Sequence, residues 1–161
     1  MTHSERLRGR MHMLVCEADG HVVAERRSGN IVVQGGAQIV ANLLSGAATA
    51  APIDRVHVGF GRESAGVEAI SLTPPSGGGI ASEALQSPVM PDDFQVEAAQ
   101  PGVLRLLVTT QFQPTVELAD VSEAGLMAGT ALYNQVVFEP VTLRVGQDIT
   151  FFWEVDLPYG H

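Results

Sequence analysis

Between Val121 and Leu157 the chain alternates apolar and polar residues through several short runs, VSEAGLMAGTALYNQVVFEPVTLRVGQDITFFWEVDL. The last run is the clearest. Ile149, Phe151, Trp153, Val155 and Leu157 recur at period two, with Thr150, Phe152, Glu154 and Asp156 between them. Alternation of this kind places one set of side chains in a core and the other in water, the pattern of an antiparallel strand wet on one face. A last third written this way commits the chain to a sheet. It contains no catalytic motif and so favours a scaffold.

The rest of the chain supplies the sheet's other members. Residues 11–27 read as a hairpin around Ala18-Asp19-Gly20, since Asp-Gly is a strong turn signal. Asn30 to Val33 reads as a short strand or the lead into a helix. Ile53 to Phe60, Phe94 to Glu97, Val103 to Phe112 and Val121 to Leu126 read as strands. In Val103–Phe112 the residues Leu104, Leu106, Val108, Thr110 and Phe112 share one face. Leu132, Val136 and Phe138 alternate again, and Pro140 then marks a bulge or an edge. Gly35 to Ser45 is the one convincing helix. Ala37, Val40, Ala41 and Leu44 form its expected core face, which Ile39 and Leu43 widen, and Gly46 is placed to end it in a left-handed cap. The expectation is a mainly β protein: an antiparallel β-sandwich with one short α-helix packed on it.

At 161 residues the chain is read as one domain spanning 11–161, preceded by a flexible arm at 1–10 that carries Arg6, Arg8 and Arg10. Residues 62–93 are read as a long Gly/Pro-rich loop holding Arg62, Pro74, Pro75, three consecutive glycines from Gly77, and Asp92-Asp93. Loops of that length in a compact domain are usually functional or ordered by a partner. No apolar run approaches the roughly 20 residues of a membrane-spanning helix, so membrane insertion is not expected. The start of the chain lacks the apolar segment of a secretory signal, so synthesis in the cytoplasm is expected.

Charge is uneven. Residues 1–62 hold seven arginines against five acids, and residues 63–161 hold two arginines against thirteen acids, giving the net charge of −9. There is no lysine. An acidic chain of this kind is not expected to bind nucleic acid. Its two halves of opposite sign suit attraction between copies or to a basic neighbour, although acids also simply keep a surface soluble. Cys16 is the only cysteine, which excludes an internal disulfide and an all-cysteine metal site.

Nothing in the sequence forms a catalytic constellation, and no cofactor or metal is expected. The five histidines show no zinc spacing. His12 and His21 read as a cross-strand polar pair on the hairpin. Asp92-Asp93 lacks the alternating carboxylates of a calcium loop and reads as a solvated turn. Trp153 with Phe151 reads as a core stripe before it reads as a sugar platform. Glu123 beside Gly125, amid apolar residues, reads as a structural lock. Its carboxylate would accept backbone N–H groups or pair with an arginine such as Arg144.

Several phrases recur in a fixed order: the small-residue helix Gly35–Leu44, the strand end Val56-His57-Val58-Gly59-Phe60-Gly61, the variable stretch Arg62–Pro91, the Glu123-Ala124-Gly125-Leu126 phrase, and the final strands Tyr133–Phe138 and Ile149–Val155. Their order, over about residues 30–157, resembles small virion proteins of tailed phages and phage-derived contractile particles, the tail-fibre, collar and baseplate-attachment domains. The resemblance implies a structural subunit acting by protein–protein assembly. Other tail or baseplate proteins would be its partners, in a symmetric homo-oligomer within the particle. The expected partner-binding residues are Arg6, Arg8, Arg10, Arg62, Pro74, Pro75, Asp92 and Asp93. A second expectation is a carbohydrate- or receptor-binding sandwich at a fibre tip, using Tyr133, Phe152 and Tyr159 as exposed aromatics. A third is a hydrolase built on a carboxylate such as Glu123.

Overall fold

The computed structural model describes residues 8–63 and 66–160. Its strands are β1 (Arg8–Cys16), β2 (Val22–Val32), β3 (Arg55–Gly59), β4 (Gln86–Pro88), β5 (Phe94–Gln100), β6 (Val103–Phe112), β7 (Leu118–Ala128), β8 (Ala131–Leu132), β9 (Asn134–Leu143) and β10 (Asp148–Pro158). One helix, α1 (Gln34–Ser45), follows β2. The strands form a single antiparallel sheet in the order β4-β3-β7-β9-β2-β1-β10-β6-β5, with β8 attached to β7.

The sheet curls into two layers. The first comprises β2, β1, β10, β6 and β5; the second comprises β4, β3, β7 and β9. They join where Ile31 and Val32 of β2 pair with Gln135 and Asn134 of β9. On the opposite side the layers meet through side chains. Ser87 donates to the carbonyl of Gln111 at 2.7 Å, and Thr110 donates to the carbonyl of Pro88 at 3.2 Å. The result is a mainly β sandwich, close to a closed half-barrel, from which β5 projects past the seam.

The alternating residues of the sequence fill the space between the layers. Ile149, Phe151, Trp153 and Val155 of β10 lie against Met11, Met13 and Val15 of β1 and against Val108 and Phe112 of β6. Val56, Val58, Leu118, Val121, Ala124, Leu126 and Val136 line the facing layer. A second, smaller apolar cluster of Val33, Leu72 and Leu132 includes the first residue after β2 and a residue of the stretch that leads to β4.

The helix is present and Gly46 ends it in the left-handed region at φ 66°, but only the Ile39–Val40 side of its expected core face turns inward, Val40 packing partly buried against the core. Gly36 and Ile39 are buried, while Ala37, Ala41 and Leu44 face outward, Leu44 at 85% exposure. The cause is the glycine end of the helix. A side chain at Gly35 or Gly36 would strike the backbone carbonyls of Leu132 and Tyr133, so these two glycines let the helix start press directly on that segment. This contact rotates Ile39 inward. We therefore expect Ile39→Ala to cost about 2–4 kcal/mol and Leu44→Ala to stay within about 0.5 kcal/mol in urea denaturation. The reverse order would contradict the observed phase of the helix.

Three further expectations need correction. The arginine arm is not an arm where it is described: Arg8 and Arg10 open β1, their backbones paired with Asp156 and Glu154; Arg6 lies outside the described residues. Residues 62–93 are not one structureless loop. They contain a 3-10 turn (Ser82–Leu85), strand β4 and a second 3-10 turn (Pro91–Asp93), with Leu72, Leu85 and Val89 buried. His12 and His21 are not a pair, because His12 lies opposite Arg27 while His21 sits in the turn. At Pro140, β9 runs through as a strand. On one side β7 takes up bulges between Leu118 and Glu123. On the other, β2 no longer pairs with β9, and the Arg26 guanidinium donates to the carbonyls of Glu139 and Pro140.

Candidate functional site

The most densely built polar site lies on the outer side of the second layer, around Glu123. Period two would turn every second residue of β7 outward, and Glu123 and Gly125 are two of these. Glu123 is nonetheless 0% exposed, because the chain after β3 folds back over it. One carboxylate oxygen accepts the Thr73 N–H, and the other accepts the Gln135 side-chain amide at 2.7 Å. The Phe60 N–H donates to the Thr73 carbonyl at 3.0 Å, so Thr73 is held from both sides of its peptide. Ser122 donates to the Gly61 carbonyl at 2.6 Å. A Cβ at Gly59 or Gly61 would collide with the Glu123 carboxylate, which is why this segment reads Gly-Phe-Gly. Gly125 performs the same service one pair further along. A Cβ there would meet the Asn134 carbonyl and the Leu132 side chain, while Asn134 accepts the Leu126 N–H at 2.8 Å.

Of the two partners considered for Glu123 from the sequence, the backbone N–H is the one observed. Arg144 is elsewhere, paired with Glu117 at 3.2 Å on the surface. Thr73 and Gln135 carry no motif and were not legible as partners. Their roles follow only from which segments the sheet brings together.

His57 belongs to the same outer side, with Gly125 as its β7 neighbour and Gln86 as its β4 neighbour. Neither ring nitrogen has a hydrogen-bond partner among the described residues. Burial holds its pKa below the ordinary 6.5, the nearby Arg55 lowers it further, and Glu123 opposes both. The neutral ring is thus favoured in the folded state. The unfolded chain takes up the proton at its ordinary value, so stability is full above that value and declines as pH falls through it. His57→Phe is expected to flatten the fall in melting temperature between about pH 7 and about pH 5. An unchanged slope in calorimetry would contradict this.

A second candidate is the open face of the first layer. A groove of about 650 Å³ crosses β2, β1, β10 and β6, lined among others by Arg10, His12, Arg27, Leu107, Thr109 and Phe152. Phe152 stacks on His12 with ring centroids 5.6 Å apart, and His12 contacts Glu25 at 2.7 Å. Hydrogen bonds from His12 and Arg27 hold the Glu25 carboxyl below its ordinary pKa. Arg10 pairs with Glu154 at 2.5 Å. Leu107 and Thr109 also border a neighbouring groove of about 790 Å³ that reaches Asp92 and Asp93. Asp93 accepts the Met90 N–H at 2.8 Å and so shapes the turn into β5.

The expected partner-binding residues therefore do not converge. Arg10 lies at the first groove and Asp92 and Asp93 at the second. Arg62 and Pro74 are exposed and Pro75 is half-buried; none of the three lines either groove. Of the aromatics expected at the surface, Phe152 is 37% and Tyr159 51% exposed, but Tyr133 is buried beneath the helix start at 6%. Burial raises the pKa of its phenol. Among the described residues no group of three or more His, Cys, Asp or Glu is placed to hold a metal ion, and no helix is long and apolar enough to cross a membrane. No family model, curated protein or solved structure matches the chain.

Proposed function

We propose that the protein is a non-enzymatic structural subunit of a phage tail or phage-tail-like contractile particle, at the baseplate, collar or fibre root, and that it works by docking on neighbouring proteins. The resemblance supplies the setting. One observation supports it most: the phrases that carry the resemblance, apart from Ile149–Val155 in the first layer, meet at a single junction. The helix glycines rest on Leu132–Tyr133, the Gly59–Gly61 strand end wraps Glu123, and Gly125 rests on Asn134. These residues lock the second layer and its cover into one body. What remains outward is a set of preformed surfaces: the apolar side of α1, the edge of β5 that no strand of the described residues covers, and the open face of the first layer.

The reading is tested by immunogold electron microscopy of particles from the producing cells, with antibody raised against the purified chain. Gold at one fixed position along a tail is expected. Particles that stay unlabelled, with the protein detected only free in solution, would overturn it.

The groove on the first layer favours a second reading, a carbohydrate-binding face. Its floor offers the stacked Phe152–His12 pair, and arginine and carboxylate groups stand at its side. Under that reading a glycan array gives a hit that Phe152→Ala abolishes, because stacking on an exposed ring supplies much of such binding. An array with no hit removes it.

A further inference from the structure

Strand β5 ends the sheet, and no strand of the described residues covers its outer edge. Such an edge presents a row of unpaired N–H and C=O groups, and proteins normally protect it with proline, charged side chains or a bulge. Within Phe94–Ala98 there is no proline, and Glu97 is the single charge. The interruptions flank the segment instead. The Pro91–Asp93 turn precedes it, and a register shift between Ala98 and Gln100 follows it. The regular edge is therefore five residues long, and Val96 is its centre. Val96 is also its most conspicuous side chain, apolar and 62% exposed. It continues an apolar strip in which Leu104 and Leu157, paired across β6 and β10, are 39% and 38% exposed.

We infer that a second copy of this chain pairs antiparallel with this edge, β5 to β5, about a two-fold axis through Val96. A two-fold normal to the sheet keeps each residue opposite one on the same face, so the axis can pass only through a residue, never between two. Charge then selects among the possible centres. An axis at Glu97 places the two Glu97 carboxylates opposite each other. An axis at Gln95 places Glu97 opposite Asp93. Like charges directly opposed are destabilising. An axis at Val96 places Glu97 opposite Gln95 twice, a carboxylate facing an amide donor, and sets Val96 against its own copy and Phe94 against Ala98. It alone uses all five residues of the regular edge. The pairing joins two first layers into one continuous sheet. It deepens the assembly reading, on which its purpose rests, while its geometry is tested without any particle.

Sedimentation of the full chain is expected to show a species of twice the 17.0 kDa monomer mass. Val96→Lys, which sets two ammonium groups at the axis, is expected to lower the dimer fraction about tenfold or more at equal concentration. The register is read by cross-linking in a Cys16→Ser background. Val96→Cys forms a disulfide between copies on mild oxidation, because paired residues lie within disulfide range. Glu97→Cys does not, since each Glu97 faces Gln95. A monomer at all concentrations, a dimer indifferent to Val96→Lys, or cross-linking at position 97 instead of 96 would each overturn the inference. A dimer with these properties beside unlabelled particles would leave the pairing standing and remove only the phage setting.

Discussion

Glu123→Ala is expected to lower the unfolding free energy by about 3–4 kcal/mol, read as a drop in the denaturation midpoint with little change in slope. The carboxylate accepts the Thr73 N–H and the Gln135 amide in a place water does not reach. Removing it takes the acceptor from a part-buried backbone donor and from the buried Gln135 amide, at about 1–3 kcal/mol, and leaves a void beneath the Gly59–Thr73 segment that adds to the loss. Glu123→Gln keeps the volume but offers an amide where two donors converge. One oxygen remains for two donors, and the expected cost is about 2 kcal/mol. The larger effect of alanine and the intermediate effect of glutamine together mark a locking role. A Glu123→Ala protein as stable as the parent would show that the fold does not depend on this carboxylate.

Trp153→Ala is expected to cost about 3–5 kcal/mol, the range for emptying a large aromatic site in a packed interior. Trp153 is 0% exposed, stacks on Phe151 with centroids 6.2 Å apart, and is flanked by Met11 of β1 and Val108 of β6 in the same register. Leu157 belongs to the same alternating series, yet Leu157→Ala is expected to cost less than about 1 kcal/mol, because the residue is partly exposed beyond the end of the second layer. Chemical denaturation of the two variants side by side separates membership of the pattern from membership of the core.

That contrast shows what the sequence can and cannot specify. Period two in β6 and β10 identified which side chains share a face, and Val108, Thr110, Phe112, Phe151, Trp153 and Val155 are all buried as the alternation implies. Alternation carries no information on how far the opposite layer extends. Leu104 and Leu157 satisfy it and are still exposed. The helix illustrates a related limit. Ala37, Val40, Ala41 and Leu44 make a regular apolar stripe, but Gly36 contributes no hydrophobic signal and decides the docking through backbone approach to Tyr133. Proline and glycine density marked residues 62–93 as loop. The short β4 and the buried Leu72, Leu85 and Val89 carry no signal in the sequence, because their segments are too brief to show a period.

The site was legible in part for a physical reason. A glutamate beside a glycine in an apolar run must find partners for its carboxylate, and this much follows from the residues alone. Which partners it finds depends on contacts fifty and twelve residues away, with Thr73 and Gln135. Arg144 offered charge and lay nearer in sequence than Thr73, but it stands on the surface, where Glu117 holds it. The Phe152–His12 stack was hidden for a similar reason, since it needs the pairing of β1 with β10.

Hydrogen–deuterium exchange of the purified protein, compared with the same chain inside intact particles, addresses the docking claim most directly. Both states should keep slow exchange at Thr73 and through β7. Assembly should add protection on outward surfaces, along the groove face of β1 and β10 or the exposed side of α1, while the Phe94–Ala98 edge, paired in the dimer, should be slow in both states. Identical exchange in the two states would show that nothing rests on these surfaces and would contradict the account.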